Sequence, residues 1–263
     1  MGFISTDNGY GIISNCYSTA NVNGTGWYIG GLVGYNSWVV CMEWCFPGYI
    51  FNSYSTGNVN GGRSVGGLVG FNDYGDVGDC YSTSDVNGFA NVGGLVGVNL
   101  DTISTCYSTG DVNGDEDVGG LVGCNGVGAG RFPTPGYIYN SYAIGSVQGT
   151  SHVGGLVGIN DFGDIEGSFW DVQTSGEPNM CGSQNELYAT GCDPNCGKTT
   201  AEMQTRSTFT DVGWDFDEIW LINEGATYPV LRQEIRSNLN GDGGVDLLDF
   251  AIFADHWLEG TAD

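Results

Sequence analysis

The sequence predicts an all-β fold, a β-solenoid (β-helix) of about five to six coils, and three observations carry that expectation. The stretch Gly30-Gly31-Leu32-Val33-Gly34 recurs letter for letter at Gly66 to Gly70, Gly93 to Gly97, Gly119 to Gly123 and Gly154 to Gly158. The copies beginning at Gly66, Gly93 and Gly119 lie 27 and 26 residues apart, the length of one coil of a three-sided solenoid, and no window carries the period of a helix. Short β-favouring runs alternate with Asn, Asp and Gly, which is how strands joined by turns are written.

A second motif follows the first in each unit: Ile13-x-x-Cys16-Tyr17-Ser18-Thr19, with counterparts around Tyr54, Tyr81, Tyr107 and Tyr142 and a divergent copy at Ser168-Phe169-Trp170. Stacked coils bring equivalent residues about 4.8 Å apart. The tyrosines Tyr17, Tyr54, Tyr81, Tyr107 and Tyr142 should then form one column, and Thr19, Thr56, Thr83 and Thr109 another. Asn15, Asn52 and Asn140 should stack at a turn. Cys16, Cys80 and Cys106 share their repeat position with Ser53 and Ser141, so that position calls for a small buried side chain, with free thiols as core filler.

The leucines pose a choice. Strict alternation puts Val65, Gly67, Val69 and Phe71 on one face and Leu68 on the other. Either the glycines make a corner or five leucines form an exposed stripe. The corner is the expectation, because an exposed apolar column invites association.

Two units are longer, with spacings of 36 (Gly30 to Gly66) and 35 (Gly119 to Gly154). Both extra stretches fall at the same joint and should leave the same edge of the solenoid. One carries Trp38, Trp44 and Phe46, the other Arg131 and Phe132. Trp38, Trp44, Phe46 and Phe132 are candidate stacking platforms for a ligand between the two loops, standing about 14 Å apart along the axis. The repeat array is assigned to residues 1–170. Residues 171–236 read as an irregular cap, with aromatics for the last open rung and a capping box at Thr199-x-x-Glu202 opening one helical turn.

Charge and cysteine content narrow the function. Six basic against 31 acidic residues give a formal charge of −25, which repels nucleic acid and anionic membrane surfaces. No apolar run approaches the ~20 residues of a membrane span. Nine cysteines beside two histidines fit an oxidising, extracellular or cell-surface setting better than a zinc protein. Met1-Gly2-Phe3 aligns with the end of a repeat (compare Val69-Gly70-Phe71), so no leader is read here. Cys41 with Cys45, and two of Cys181, Cys192 and Cys196, are disulfide candidates in irregular segments; reduced cysteines are the alternative. The two histidines are His152, beside a repeat glycine, and His256, in the expected final helix, so no Ser-His-Asp or Cys-His arrangement is credible and both read as structural or surface residues. Gly197-Lys198-Thr199 lacks the upstream glycine of a phosphate loop, Cys192 standing in its place. A non-catalytic binding or display module is expected, the alternative being a polysaccharide-active β-helix enzyme.

Residues 237–263 differ in composition. Asn238, Asn240, Asp242, Asp246 and Asp249 supply oxygen ligands at positions 1, 3, 5, 9 and 12 of an EF-hand-type loop, with Gly243 at the sharp turn and Gly244 offering its carbonyl. Calcium is the matching cation. Asn238 stands where Asp is usual and Asp249 where a bidentate Glu is usual.

At these residues the chain resembles known families. The Gly-Gly-Leu-Val-Gly units with Cys/Ser-Tyr-Ser-Thr, over about residues 2–170, resemble the GLUG repeats of bacterial surface adhesins and of non-catalytic parts of immunoglobulin A peptidases. Gly213-Trp214-Asp215-Phe216 with Tyr228-Pro229-Val230-Leu231 looks like the ending that often follows such repeats. Residues 238–258 resemble one half of a type I dockerin, for which Asp at the last loop position is normal. The resemblance implies surface display or adhesion toward a cell-surface or extracellular protein or glycan, and a cohesin-like partner for the calcium segment.

The loop reading has a direct check. Three carboxylates converging on one loop repel unless a cation lies between them, so calcium should supply the folding free energy of this short segment. Calorimetric titration with calcium should give a saturable heat in the wild type and little in Asp242→Ala; equal heats would contradict the assignment.

Overall fold

The computed structural model describes residues 3–4, 11–37, 39–40, 45–128 and 133–232, with backbone alone at 3–4, 39–40 and 45–46. The chain divides into two compact units, Met1–Thr200 and Ala201–Asp263. The first is a β-solenoid of parallel, in-register strands. One coil runs through Gly48–Phe51, Tyr54–Ser55, Val59–Asn60, Arg63–Gly66 and Val69–Asp73. These strands belong to sheets here called B, C, D, E and A, of six, seven, five, five and seven strands. The coil thus has five short strands where its length suggested three sides, because glycines bend the chain every few residues.

The repeated pentapeptide builds the sharpest bend. Gly67 and Leu68 form the corner between sheets E and A, and Leu68 N–H and Val69 N–H both donate to the Leu95 carbonyl of the next coil (2.9 and 3.0 Å). Leu68, Leu95, Leu121 and Leu156 are fully buried, so the corner expected from the sequence is the one formed. On either side the two sheets meet backbone to backbone. A Cβ on Gly97 would lie 2.5 Å from Gly70 O and 2.6 Å from Val65 N, and one on Gly66 would lie 2.7 Å from Gly97 N. No side chain fits between the strands.

The close approach divides each coil into two cores. The larger holds Ile50, Val77, Ile103, Ile138 and Ile165 of sheet B, the first valines of sheet A, and the corner leucines. The smaller holds Val59, Val86, Val112 and Val147 against Val65, Val92 and Val118. Between them the chain is pinched. Ser55 Oγ and Ser108 Oγ donate to Gly67 O and Gly120 O at 2.6 Å, and a Cβ on Gly67 would meet Ser82 Oγ at 2.2 Å.

Ladders run along the axis. The tyrosine column forms, with rings 4.8–5.2 Å apart and within 9° of parallel from Tyr17 to Tyr142. Such offset stacks of amphipathic rings add to the area they bury. The cysteine and serine column does more than fill space. Ser53 Oγ, Cys80 Sγ, Cys106 Sγ and Ser141 Oγ each donate to the carbonyl two residues back, at 2.9, 3.0, 3.1 and 2.7 Å. Cys16, Cys80 and Cys106 are free, and burial pushes the Cys106 thiol well up. The preceding residue adopts the left-handed conformation in every coil, Asn15, Asn52, Asp79, Thr105 and Asn140 having φ between 45 and 56°. That explains the Asn and Asp there, since these residues tolerate positive φ better than most.

The asparagine after each pentapeptide forms a buried amide ladder. Asn36, Asn72, Asn99 and Asn125 each donate from Nδ2 to Oδ1 of the next asparagine, at 2.8, 2.9, 3.0 and 3.1 Å, ending on Asn160. The remaining amide proton goes to a nearby carbonyl, such as Gly136 O for Asn125 and Asp101 O for Asn99.

Sheets A and C continue past residue 170. The Met180 carbonyl accepts from Leu156 N and Val157 N (3.0 and 2.9 Å), as the corner leucines' carbonyls do. Strand Cys181–Gln184 then joins sheet A and Gly197–Lys198 joins sheet C. Trp170, fully buried, replaces the small residues of the pinch and donates its indole N–H to Glu177 O at 2.9 Å. In the second unit Phe209, Trp214 and Trp220 pack on one another, beside the antiparallel pair Trp220–Leu221 and Val230–Leu231. A single helical turn, Thr200–Met203, follows Thr199.

Removing one rung of the amide ladder strands buried groups on both sides, each costing about 1–3 kcal/mol. Asn99→Ala should therefore lower stability by roughly 3 kcal/mol. Asn113→Ala, in the exposed asparagine column of sheet D, should stay within about 0.5 kcal/mol. Chemical denaturation of the two variants checks the contrast.

Candidate functional site

Each coil passes from sheet A to sheet B through a joint that follows the ladder asparagine. Two short joints, around Tyr74 and around Leu100-Asp101, lie between the expanded ones, 38–47 and 126–135, and a further short joint at Asp161-Phe162 follows; both long connections thus leave the same edge. The first contains the antiparallel pair Val39–Val40 with Cys45–Phe46. The second contains a bridge between Val127 and Thr134, whose N–H groups and carbonyls bond mutually at 2.9 and 3.0 Å. Tyr74 and Thr134 hydroxyls lie 3.3 Å apart, linking a short joint to the second long connection. Asp161 fastens that connection at its base, accepting from Gly128 N at 2.7 Å and from Asn185 Nδ2 at 3.0 Å.

The strip between the long connections carries three partly buried carboxylates, Asp73, Asp76 and Asp101. Desolvation raises the proton affinity of all three, and the charge of Asp76 adds to the effect at Asp101. Thr102 Oγ1 donates to Asp101 Oδ1 at 3.2 Å. On the outer face of sheet B, Tyr49 is in register with Asp76, and Thr102 with Tyr137. Towards sheet A, Tyr35 donates its hydroxyl to Asp73 Oδ2 at 2.6 Å; burial, then that hydrogen bond, push the Tyr35 phenol up to about 12. Tyr35 stacks on Phe71 at 5.3 Å, Tyr28 packs against both, and Trp27, 59% exposed, meets Tyr28 edge-on at 6.1 Å. Carboxylates flanked by aromatic faces can accept hydrogen bonds from hydroxyl groups while rings stack on apolar C–H surfaces.

Of the residues singled out in the sequence, Trp38, Trp44, Phe132 and Cys41 lie outside the described residues, as do all the calcium ligands from Asn238 to Asp249. Phe46 and Cys45 lie in a strand described through its backbone. Cys181 and Cys192 are joined by a disulfide with Cα atoms 5.7 Å apart, and Cys196 is free. Cys192 N also donates to Gln184 Oε1 at 3.1 Å, so the bridge fastens the last strand of sheet A. Sequence reasoning passed over Asp73, Asp76, Asp101, Tyr35 and Trp27. Their signal was positional: the carboxylates cluster at the two short joints between the insertions. Among the described residues no group of three or more Cys, His, Asp or Glu side chains is arranged to hold a metal ion.

The carboxylates make the fold pH-sensitive in a definite direction. Their folded-state proton affinities lie above the ordinary value of 3.8, so the folded chain holds more protons than the unfolded one from there up to the raised values. The contribution of these groups to stability is fully present below 3.8 and is lost as pH rises through their raised values. Asp101→Asn should accordingly raise the thermal midpoint at pH 7, with the gain vanishing below pH 3.8.

Comparison with known proteins bears on identity. Residues 61–87 and 90–113 match the family model described as the GLUG motif. A protein of Evansella cellulosilytica described as a Gly-rich membrane protein is 40% identical over 67 residues, which is 26% of this chain and 6% of that protein. The chain thus spans a small fraction of that relative's length. No helix among the described residues is long and apolar enough to cross a membrane. No solved structure matches the chain. Two consecutive coils of the solenoid, residues 61–87 and 90–113, are thus similar to the GLUG motif.

Proposed function

We propose that the solenoid is a non-catalytic, extracellular or cell-surface binding module, whose ligand-contacting strip is the A–B joint between the two long connections. The observation that carries this reading is the coincidence, at one edge, of both insertions with the partly buried Asp73, Asp76 and Asp101 and the aromatic residues Tyr35, Tyr49 and Tyr137. A hydroxyl-rich ligand of oligosaccharide type fits that chemistry, with Trp38, Trp44, Phe46 and Phe132 of the connections as further platforms. An extracellular setting is supported by the disulfide between Cys181 and Cys192. Residues 237–263 are proposed as a calcium-bound, dockerin-like tether for a cohesin-like partner, held by Asn238, Asn240, Asp242, Gly244, Asp246 and Asp249. Neither nucleic acid nor membrane insertion belongs to this reading, given the charge of −25.

A second reading has one observation in its favour. Carboxylates with raised proton affinity are what a polysaccharide-active enzyme needs for a general acid. A glycan array followed by product analysis separates the two. The expected result is saturable binding without turnover, weakened at least tenfold by Tyr49→Ala, Tyr137→Ala or Trp44→Ala. Product formation abolished by Asp101→Asn would establish the enzyme instead, and binding that survives all three aromatic changes would move the site elsewhere.

A further inference from the structure

Among the described residues, Arg63 is the cation whose charged group has no polar partner. A chain with six basic and 31 acidic residues offers each cation a choice of carboxylates and carbonyls. Lys198 donates to Asn195 O at 2.8 Å, Arg206 pairs with Asp217 at 3.7 Å and Arg232 donates to Phe216 O at 2.7 Å. Arg63 does none of this. Its guanidinium carbon lies over the ring of Phe89, 4.8 Å from the centroid.

The coils on either side supply aromatic residues. Arg63 opens its strand of sheet E, in register with Trp27 of the coil before and Ala90 of the coil after. Phe89 N donates to Gly62 O at 2.7 Å, which seats Phe89 one coil on from the turn that precedes Arg63. Trp27 is 59% exposed and Phe89 43%, while Arg63 is partly buried. A guanidinium held against an aromatic face keeps its planar fork of N–H donors for an anion of matching shape, such as a carboxylate. The next coil brings Asp115 and Glu116, both exposed, whose backbone N–H groups donate to Phe89 O at 3.1 and 3.0 Å. Their charges repel any second anion on that side.

We propose that Trp27, Arg63 and Phe89 form a binding site for a single sugar carboxylate, that of a terminal uronic acid on an otherwise neutral glycan. The Arg63 fork takes the carboxylate as a bidentate pair, and the open ring of Trp27 beside it stacks on the C–H face of the sugar. Asp115 and Glu116 restrict the site to one charge, so polyanions are poor ligands. This goes beyond the joint strip: Trp27 touches the border of the strip through Tyr28, but the site uses none of Asp73, Asp76 and Asp101.

The probes are two labelled trisaccharides that differ only in the terminal residue, glucuronic acid or glucose. Fluorescence anisotropy with the full chain should show saturable binding of the acidic probe, about tenfold tighter than that of the neutral one. Arg63→Gln should bring the ratio to about one with the circular dichroism spectrum unchanged, and Arg63→Lys, which keeps the charge and loses the fork, should fall between. Trp27→Ala should weaken the acidic probe severalfold. The ratio does not depend on whether the neutral probe binds at the joint strip, so failure of that reading leaves this test intact. No preference for the acidic probe, a preference that survives Arg63→Gln, or tighter binding of a trisaccharide of three uronic acids would overturn the proposal. Equal affinity for a labelled tripeptide ending in glutamate would overturn it too, since the carboxylate would then suffice without the sugar.

Discussion

Two backbones meeting with no side chain between them set the cross-section of every coil. Sheets E and A approach so closely at Gly66, Gly70 and Gly97 that any Cβ would collide with main-chain atoms of the adjoining strand or coil. Contacts of that kind cannot be relieved by a rotamer change, which is why the pentapeptide is repeated without variation. The approach separates the interior into two small cores and leaves short runs of apolar residues, rather than one broad core, to be buried. Ladders then carry much of the cohesion. Asparagine amides, serine hydroxyls and cysteine thiols each satisfy a group exposed by the bends.

Much of this was legible in the residues themselves. The coil period, the tyrosine column and the shared edge of the insertions follow from spacing alone, since stacked coils convert sequence offsets into columns. The corner at Leu68 was legible once the cost of an exposed leucine stripe was weighed. Five strands per coil were not, because two-residue strands such as Tyr54–Ser55 and Val59–Asn60 leave no periodicity to read. The amide ladder was visible as a recurring Asn, yet its burial depends on how closely sheets A and B converge. The corner at Met180 kept Gly182 of the motif but lost Leu and Val, so only the hydrogen bonds from Leu156 and Val157 reveal it.

The candidate site was half legible for the same reason. Loop length identified the joint, whereas the carboxylates between the loops stand in ordinary Asp-rich turns and become distinctive through their burial and mutual charge. This division of labour follows from the fold. Positions facing the cores and the pinch are fixed by backbone contact, while the joint between sheets A and B lies outside both and accepts insertions, charges and aromatic residues without disturbing the ladder beneath. A solenoid so built can change what it contacts at one edge and keep its coils.

The central claim is that main-chain contact, not side-chain burial, fixes the coil, and one comparison tests it most directly. Gly97→Ala places a methyl 2.5 Å from Gly70 O, whereas Gly78→Ala, in sheet B, meets nothing nearer than Ser104 Oγ at 3.6 Å. Thermal unfolding followed by circular dichroism should show Gly97→Ala losing its cooperative transition or more than about 4 kcal/mol, and Gly78→Ala remaining near wild type. Equal midpoints for the two variants would contradict the claim.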